Sequence, residues 1–158
     1  MEISLMIEGQ DGVNWPRWQS LARTVEAAGF TGLYRSDHFT NPDGPLLDAL
    51  ELWTSQTWLA SHTERIVFGP VVSPVSFRDP VITAWTAIAI DNLSGGRFRL
   101  GLGAGWQERE HAMFGYHLLD TEQRFARFTE ALDVIAGLLR STTPFTFEGE
   151  YYAVMDAV

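Results

Sequence analysis

The chain has 158 residues, 46% hydrophobic and 20% charged, which suits one globular domain with its own core. Eleven Lys and Arg stand against twenty Asp and Glu, a net charge of −9, which argues against a nucleic-acid backbone or an anionic membrane as the main partner. With no cysteine there is no disulfide framework, thiolate metal site or cysteine nucleophile, and no apolar run is long enough to span a bilayer. The start, Met1-Glu2-Ile3-Ser4, lacks a basic segment followed by an apolar one, so no signal peptide is expected and the expected location is the cytoplasm.

Strands and helices alternate along the chain. Ile3–Ile7 is a short apolar run ending at Glu8-Gly9, which by its length predicts a buried strand. Asn14 is placed to cap a helix with Pro16 in its first turn; Trp15, Trp18, Ala22 and Val25 recur at helical spacing and Gly29 closes it. Thr31–Arg35 predicts a second strand, running into Ser36-Asp37-His38-Phe39. After a loop with Pro42, Gly44 and Pro45, the residues Leu47, Leu50, Thr54, Trp58 and Leu59 give the next helical face. Arg65–Phe68 predicts a third strand before Gly69-Pro70-Val71-Val72-Ser73-Pro74, and Asp79-Pro80 predicts the start of a helix over Val81–Leu93. Phe98–Gly103 alternates as a fourth strand. Asp120 with Gln123 resembles a capping box opening Glu122–Arg140, with Phe125, Phe128, Leu132, Ile135 and Leu139 on its apolar side. Phe145–Val154 reads as a hairpin around Glu148-Gly149. The order is that of four βα units, suiting a doubly wound sheet or half of a (β/α)8 barrel. A complete barrel takes about 250 residues, so on that second reading residues 1–158 are a single domain that stops before a fifth strand.

The stretch Ser94–His111, SGGRFRLGLGAGWQEREH, carries the strongest local signal. Gly101, Gly103 and Gly105 remove side chains where the fourth strand ends, and backbone without Cβ atoms bends sharply and lies close against a flat or phosphorylated ligand. A dinucleotide fingerprint fails, because its last glycine position falls on Trp106 or Glu108; a phosphate loop, a G-x-S-x-G elbow and an H-E-x-x-H pair are all absent. Glu110-His111 is an incomplete metal pattern, and no metal site is expected. In a parallel sheet all strand ends point one way, so Glu8, Asp37, His38, Ser73 and Trp106 are placed to converge on one cleft. A histidine there titrates near neutral pH and can carry a proton. Spacing alone is equally consistent with Asp37 capping its turn and His38 as a structural hydrogen-bonder.

Three segments taken together, Ser36-Asp37-His38-Phe39, the run Gly69–Pro80 and Ser94-Gly95-Gly96-Arg97 with LGLGAGWQEREH, resemble the luciferase-like monooxygenases, barrel oxidoreductases that use FMN or the 8-hydroxy-5-deazaflavin coenzyme. The resemblance covers the whole chain but only the N-terminal half of the family's usual length. It implies an oxidoreductase in which hydride passes to or from a small organic substrate, or reduced flavin activates oxygen. It implies catalytic roles for His38 and Glu8, with Asp37 orienting His38. It implies cofactor contacts from Asp37, His38, Val71, Val72, Ser73, Gly103, Ala104, Gly105 and Trp106, with a non-prolyl cis peptide in the 71–73 bulge behind the ring. In some deazaflavin-dependent dehydrogenases a glutamate acid stands at Trp106, and an indole cannot donate that proton. Four strands alone leave two free edges, so pairing with a second copy or with a missing half-barrel is expected. The alternative is a non-catalytic half-barrel that acts only as an association module.

Overall fold

Three strands, β1 (Ser4–Ile7), β2 (Gly32–Arg35) and β3 (Val67–Pro70), lie parallel in that spatial order, with Ser4 opposite Gly32 and Gly32 opposite Val67. The computed structural model describes residues 1–158. Between the strands run α1 (Trp15–Ala27) and α2 (Leu52–His62). After β3 a two-residue strand, β4 (Ser73–Pro74), precedes α3 (Pro80–Ser94) and pairs in parallel with β5 (Leu102–Gly103). The chain continues through α4 (Glu108–Phe114), the long α5 (Thr121–Arg140), and an antiparallel hairpin of β6 (Phe145–Glu148) and β7 (Ala153–Ala157). The architecture is a mixed α/β fold with βα units in sequence order.

Local chemistry explains the helix starts. Asn14 Oδ1 accepts the Arg17 N–H at 3.2 Å, Asp79 Oδ1 accepts those of Val81 and Ile82, and Asp120 Oδ1 accepts that of Gln123 at 2.9 Å. Gly95 ends α3 in the left-handed conformation that a glycine adopts without penalty. The core forms on one face of the sheet, where Leu33, Phe68 and Phe98 meet Trp18, Ala22 and Val25 of α1, Leu52 and Leu59 of α2, and Ala87 and Ile90 of α3. Burying side chains of this size stabilises the fold by about 1.5–3 kcal/mol each. The opposite face is far less covered: Met6 on β1, Val71 and Val72 are all exposed.

Four sequence expectations shift. The helix expected from Leu47 begins only at Leu52, because the backbone before it is already committed: Gly12 N–H bonds the Asp48 carbonyl and Leu50 N–H bonds that of Val13. The third strand moves from Arg65–Phe68 to Val67–Pro70, because the Glu26 carboxylate takes the N–H groups of Glu64, Arg65 and Ile66 and holds them in a turn. Gly69 then lies so close to the fourth strand that a Cβ would sit 1.8 Å from the Arg99 carbonyl oxygen. The expected continuous strand Phe98–Gly103 is split into a bridge at Phe98 and the short β5, because it pairs with two separate strands, with Phe68 of β3 at one end and with β4 at the other; the Val71–Val72 peptide between those two strands is cis. On α5 the buried residues are Ala131, Val134 and Ile135, and of the expected apolar side only Ile135 is buried.

Candidate active site

Parallel pairing brings the carboxyl ends of the strands to one edge, and the loops leaving them enclose a cleft of about 360 Å³. Glu8 and Gln10 enter it from the end of β1, Ser36 and His38 from the end of β2, and Val71 and Val72 from the end of β3. Gly105, Trp106, Gln107 and Glu110 come from the segment joining β5 to α4 and from α4 itself. Ser36 ties two strand ends together: its hydroxyl oxygen accepts the Gly9 N–H at 3.0 Å and its O–H donates to Gln10 Oε1 at 2.9 Å. Gln10 Nε2 in turn donates to Glu8 Oε2 at 3.0 Å, which fixes that carboxylate at the cleft wall.

His38 is held from one side. Its Nδ1 lies 2.6 Å from Glu110 Oε1, and the other oxygen of Glu110 accepts the Phe39 N–H at 2.9 Å. Glu110 is fully buried. Gln107 Nε2 donates to the Thr40 carbonyl at 2.8 Å, so residues 38–40 are docked along the start of α4. The edge of His38 meets the Trp106 ring, with centroids 5.6 Å apart and planes at 80°. Burial disfavours the imidazolium, but the hydrogen bond and charge of Glu110, with the charges of Glu8 and Asp37, outweigh it and hold His38 above its ordinary value.

Asp37 does something else. The expectation that it orients His38 is corrected: its carboxylate, 2% exposed, accepts from the Ser73 hydroxyl at 2.7 Å and pairs with Arg78, and Arg78 also bonds Glu51 at 2.9 Å. Burial pushes the Asp37 carboxyl up, opposed by Arg78 and Ser73. Asp37 and Ser73 therefore lie behind the cleft as a tie between the ends of β2 and β4, and neither lines it. Gly103 and Ala104 also fall outside the lining, whereas Glu8, His38, Val71, Val72, Gly105 and Trp106 are brought together in it.

Sequence reasoning missed Glu110, Gln107 and Arg78 as parts of the site. In the incomplete metal pattern Glu110-His111, Glu110 binds His38, and His111 Nδ1 lies 2.6 Å from the Gln107 carbonyl and Nε2 2.8 Å from Ser76 Oγ. A carbonyl only accepts, so His111 carries hydrogen on Nδ1 and meets Ser76 Oγ through Nε2. Gly105, at φ +86°, leaves room for that pair, since a Cβ there would lie 2.7 Å from Ser76 Oγ. The available signal was spacing: Gln107, Glu110 and His111 stand three and four apart and so share a helix face.

The sequence and the fold both match known proteins. The profile of the family described as luciferase-like monooxygenase fits residues 3–158, and the chain belongs to that family. It is 36% identical over 137 residues to an F420-dependent glucose-6-phosphate dehydrogenase of Kineococcus radiotolerans, a match covering 84% of this chain and 39% of that protein. An F420-dependent secondary alcohol dehydrogenase, solved with an F420-acetone adduct, superimposes with a TM-score of 0.89 at 21% identity, over 99% of this chain and 47% of that one. The oxygenating constituent of 3,6-diketocamphane monooxygenase from Pseudomonas putida, solved with FMN, gives 0.80 at 19% identity, over 100% of this chain and 44% of that one. The chain thus spans less than half the length of these relatives. No helix is long and apolar enough to cross a membrane.

Proposed function

We propose that the chain is the ring-binding half of a luciferase-like oxidoreductase, folded as the first four βα units of a (β/α)8 barrel. The cleft at the strand ends would take the tricyclic ring of FMN or of the 8-hydroxy-5-deazaflavin coenzyme. The observation that carries this is the convergence of His38, Glu8, Trp106 and the Val71–Val72 wall on one edge of parallel strands in a chain of this family. The lining fits a flat, partly apolar ring. Met6, Val71, Val72, Pro74 and Trp106 give apolar surface, Glu8, Gln10, His38 and Gln107 give polar groups, and the volume falls in the usual range for organic ligands, about 300–1,000 Å³. The F420 and FMN named for the relatives support the same ring class.

When bound, such a cofactor supplies hydride transfer or oxygen activation, chemistry no side chain can perform. The chain's own residues supply position and proton control. His38 Nε2, which has no protein partner, gives or takes a proton at the small organic substrate. Glu8, held by Gln10, sets a second charge at the wall. Trp106 covers His38 on one side and reduces its access to water. The free edges of β1 and β5 favour docking of further βα units or of a second copy.

His38→Ala tests this in the oxidoreductase that carries the chain. Turnover should fall by about 10²–10⁴-fold, the usual worth of a positioned acid or base, while the far-ultraviolet circular dichroism stays unchanged. Unchanged turnover would remove His38 from the chemistry.

A further inference from the structure

The proton on His38 has two nitrogens to choose from, and the structure restricts the choice. Nδ1 faces Glu110 at 2.6 Å, while Nε2 has no hydrogen-bond partner in the protein and the ring lines the cleft. An ionised carboxylate only accepts, so Nδ1 must carry hydrogen to make that bond. Glu110 cannot turn away, because its second oxygen is taken by the Phe39 N–H and the side chain is fully buried. Gln107 Nε2 also lies 3.4 Å from Nδ1, but its amide is engaged by Thr40 at both ends, with the shorter 2.8 Å bond to the Thr40 carbonyl, so the 2.6 Å Glu110 contact is the one that sets Nδ1.

We propose that Glu110 is a positioning residue that keeps hydrogen on Nδ1 of His38 in both charge states and so confines proton exchange to Nε2, the nitrogen open to the cleft. Neutral His38 then presents a lone pair to the cleft and protonated His38 presents an N–H, with one geometry serving both. The neighbouring charges agree. Glu110 reaches the ring from α4 and Glu8 faces it from the end of β1. Asp37 adds its charge from behind while its own bonds go to Ser73 and Arg78, and His111 turns away to Ser76. This inference rests on the functional reading only for what finally exchanges the proton; the tautomer is a property of the chain itself.

Nitrogen-15 NMR of histidine-labelled protein, residues 1–158 without cofactor, reads both tautomer and titration. His38 should show the Nδ1–H neutral form and a midpoint above the ordinary value of about 6.5. In Glu110→Gln the midpoint should drop by about 1 pH unit, and the neutral ring should drift toward Nε2–H, because the amide can turn its NH2 to Nδ1. Glu110→Asp, which keeps the charge at shorter reach, should recover part of the shift. A wild-type His38 with hydrogen on Nε2, or a midpoint unmoved in Glu110→Gln, would overturn the inference. Should Glu110→Gln not fold, the wild-type tautomer decides alone. A chain that shows this signature yet binds neither ring keeps the inference and loses the functional reading.

Discussion

Asp37 and His38 are adjacent in the chain but belong to different devices. His38 turns into the cleft and is governed by Glu110, seventy-two residues later; Asp37 turns behind it and locks onto Ser73 and Arg78. The buried Asp37–Arg78 pair is a case where removing one partner costs more than the pair itself contributes, since a charge is left without compensation. Asp37→Ala should therefore lower stability by about 3–5 kcal/mol in urea unfolding. A loss below about 1 kcal/mol would mean that Glu51 and water satisfy Arg78 unaided. The dipeptide itself was legible in the sequence because it follows a strand on the ligand-binding edge. Its two partners were not, because nothing local to residues 37 and 38 announces a carboxylate or a guanidinium brought in from another βα unit.

At the scale of elements, carboxylates acting on backbone N–H groups settle positions that periodicity leaves open. Glu26 accepts the N–H groups of residues 64–66 and delays β3 by two residues; Glu130 on α5 accepts those of Glu150, Tyr151 and Tyr152 and seats the terminal hairpin. Burial is the largest single influence and raises both carboxyls, but the N–H bonds together outweigh it and hold them below the ordinary carboxylate value. Phe145 packs over Gly137, where a Cβ would lie 2.2 Å from its ring, so Glu130 and Gly137 together fix the hairpin to α5. In Glu130→Ala, hydrogen exchange at the amides of residues 150–152 should quicken by about tenfold, with the amides of α1 and β2 unchanged. Equal exchange in both proteins would show that packing alone seats the hairpin. Helix caps were readable because Asn14, Asp79 and Asp120 act within three residues of themselves. The start of α2 was not, because the pairing of residues 12–13 with 48–50 is a tertiary event that overrides the apolar spacing of Leu47 and Leu50.

At the scale of the molecule, the order of strands and helices followed from the alternation of apolar runs and caps, and the family followed from three motifs, after β2, around β3 and β4, and from the end of α3 through β5 into α4. The surfaces tell the rest. β1 and β5 each have a free edge. Trp85 and Ile82 on α3 and Phe125 and Leu139 on α5 are exposed, together with the Val71–Val72 wall. Apolar surface on this scale, beside open strand edges, drives association. Sedimentation velocity on residues 1–158 should show dimers or larger species; a sharp monomer boundary with cooperative unfolding would contradict the half-barrel reading.

The account depends most on where a flavin-type ring sits. Titration of nitrogen-15-labelled protein with FMN and with the deazaflavin coenzyme, followed by amide shifts, locates it directly. The account predicts saturable shifts at His38, Val72, Gly105 and Trp106 with at least one of the two, and weakened binding in Val72→Asp, which sets a charge on an exposed wall residue without disturbing the core. Saturable shifts confined to other surfaces, or none with either compound, would contradict it.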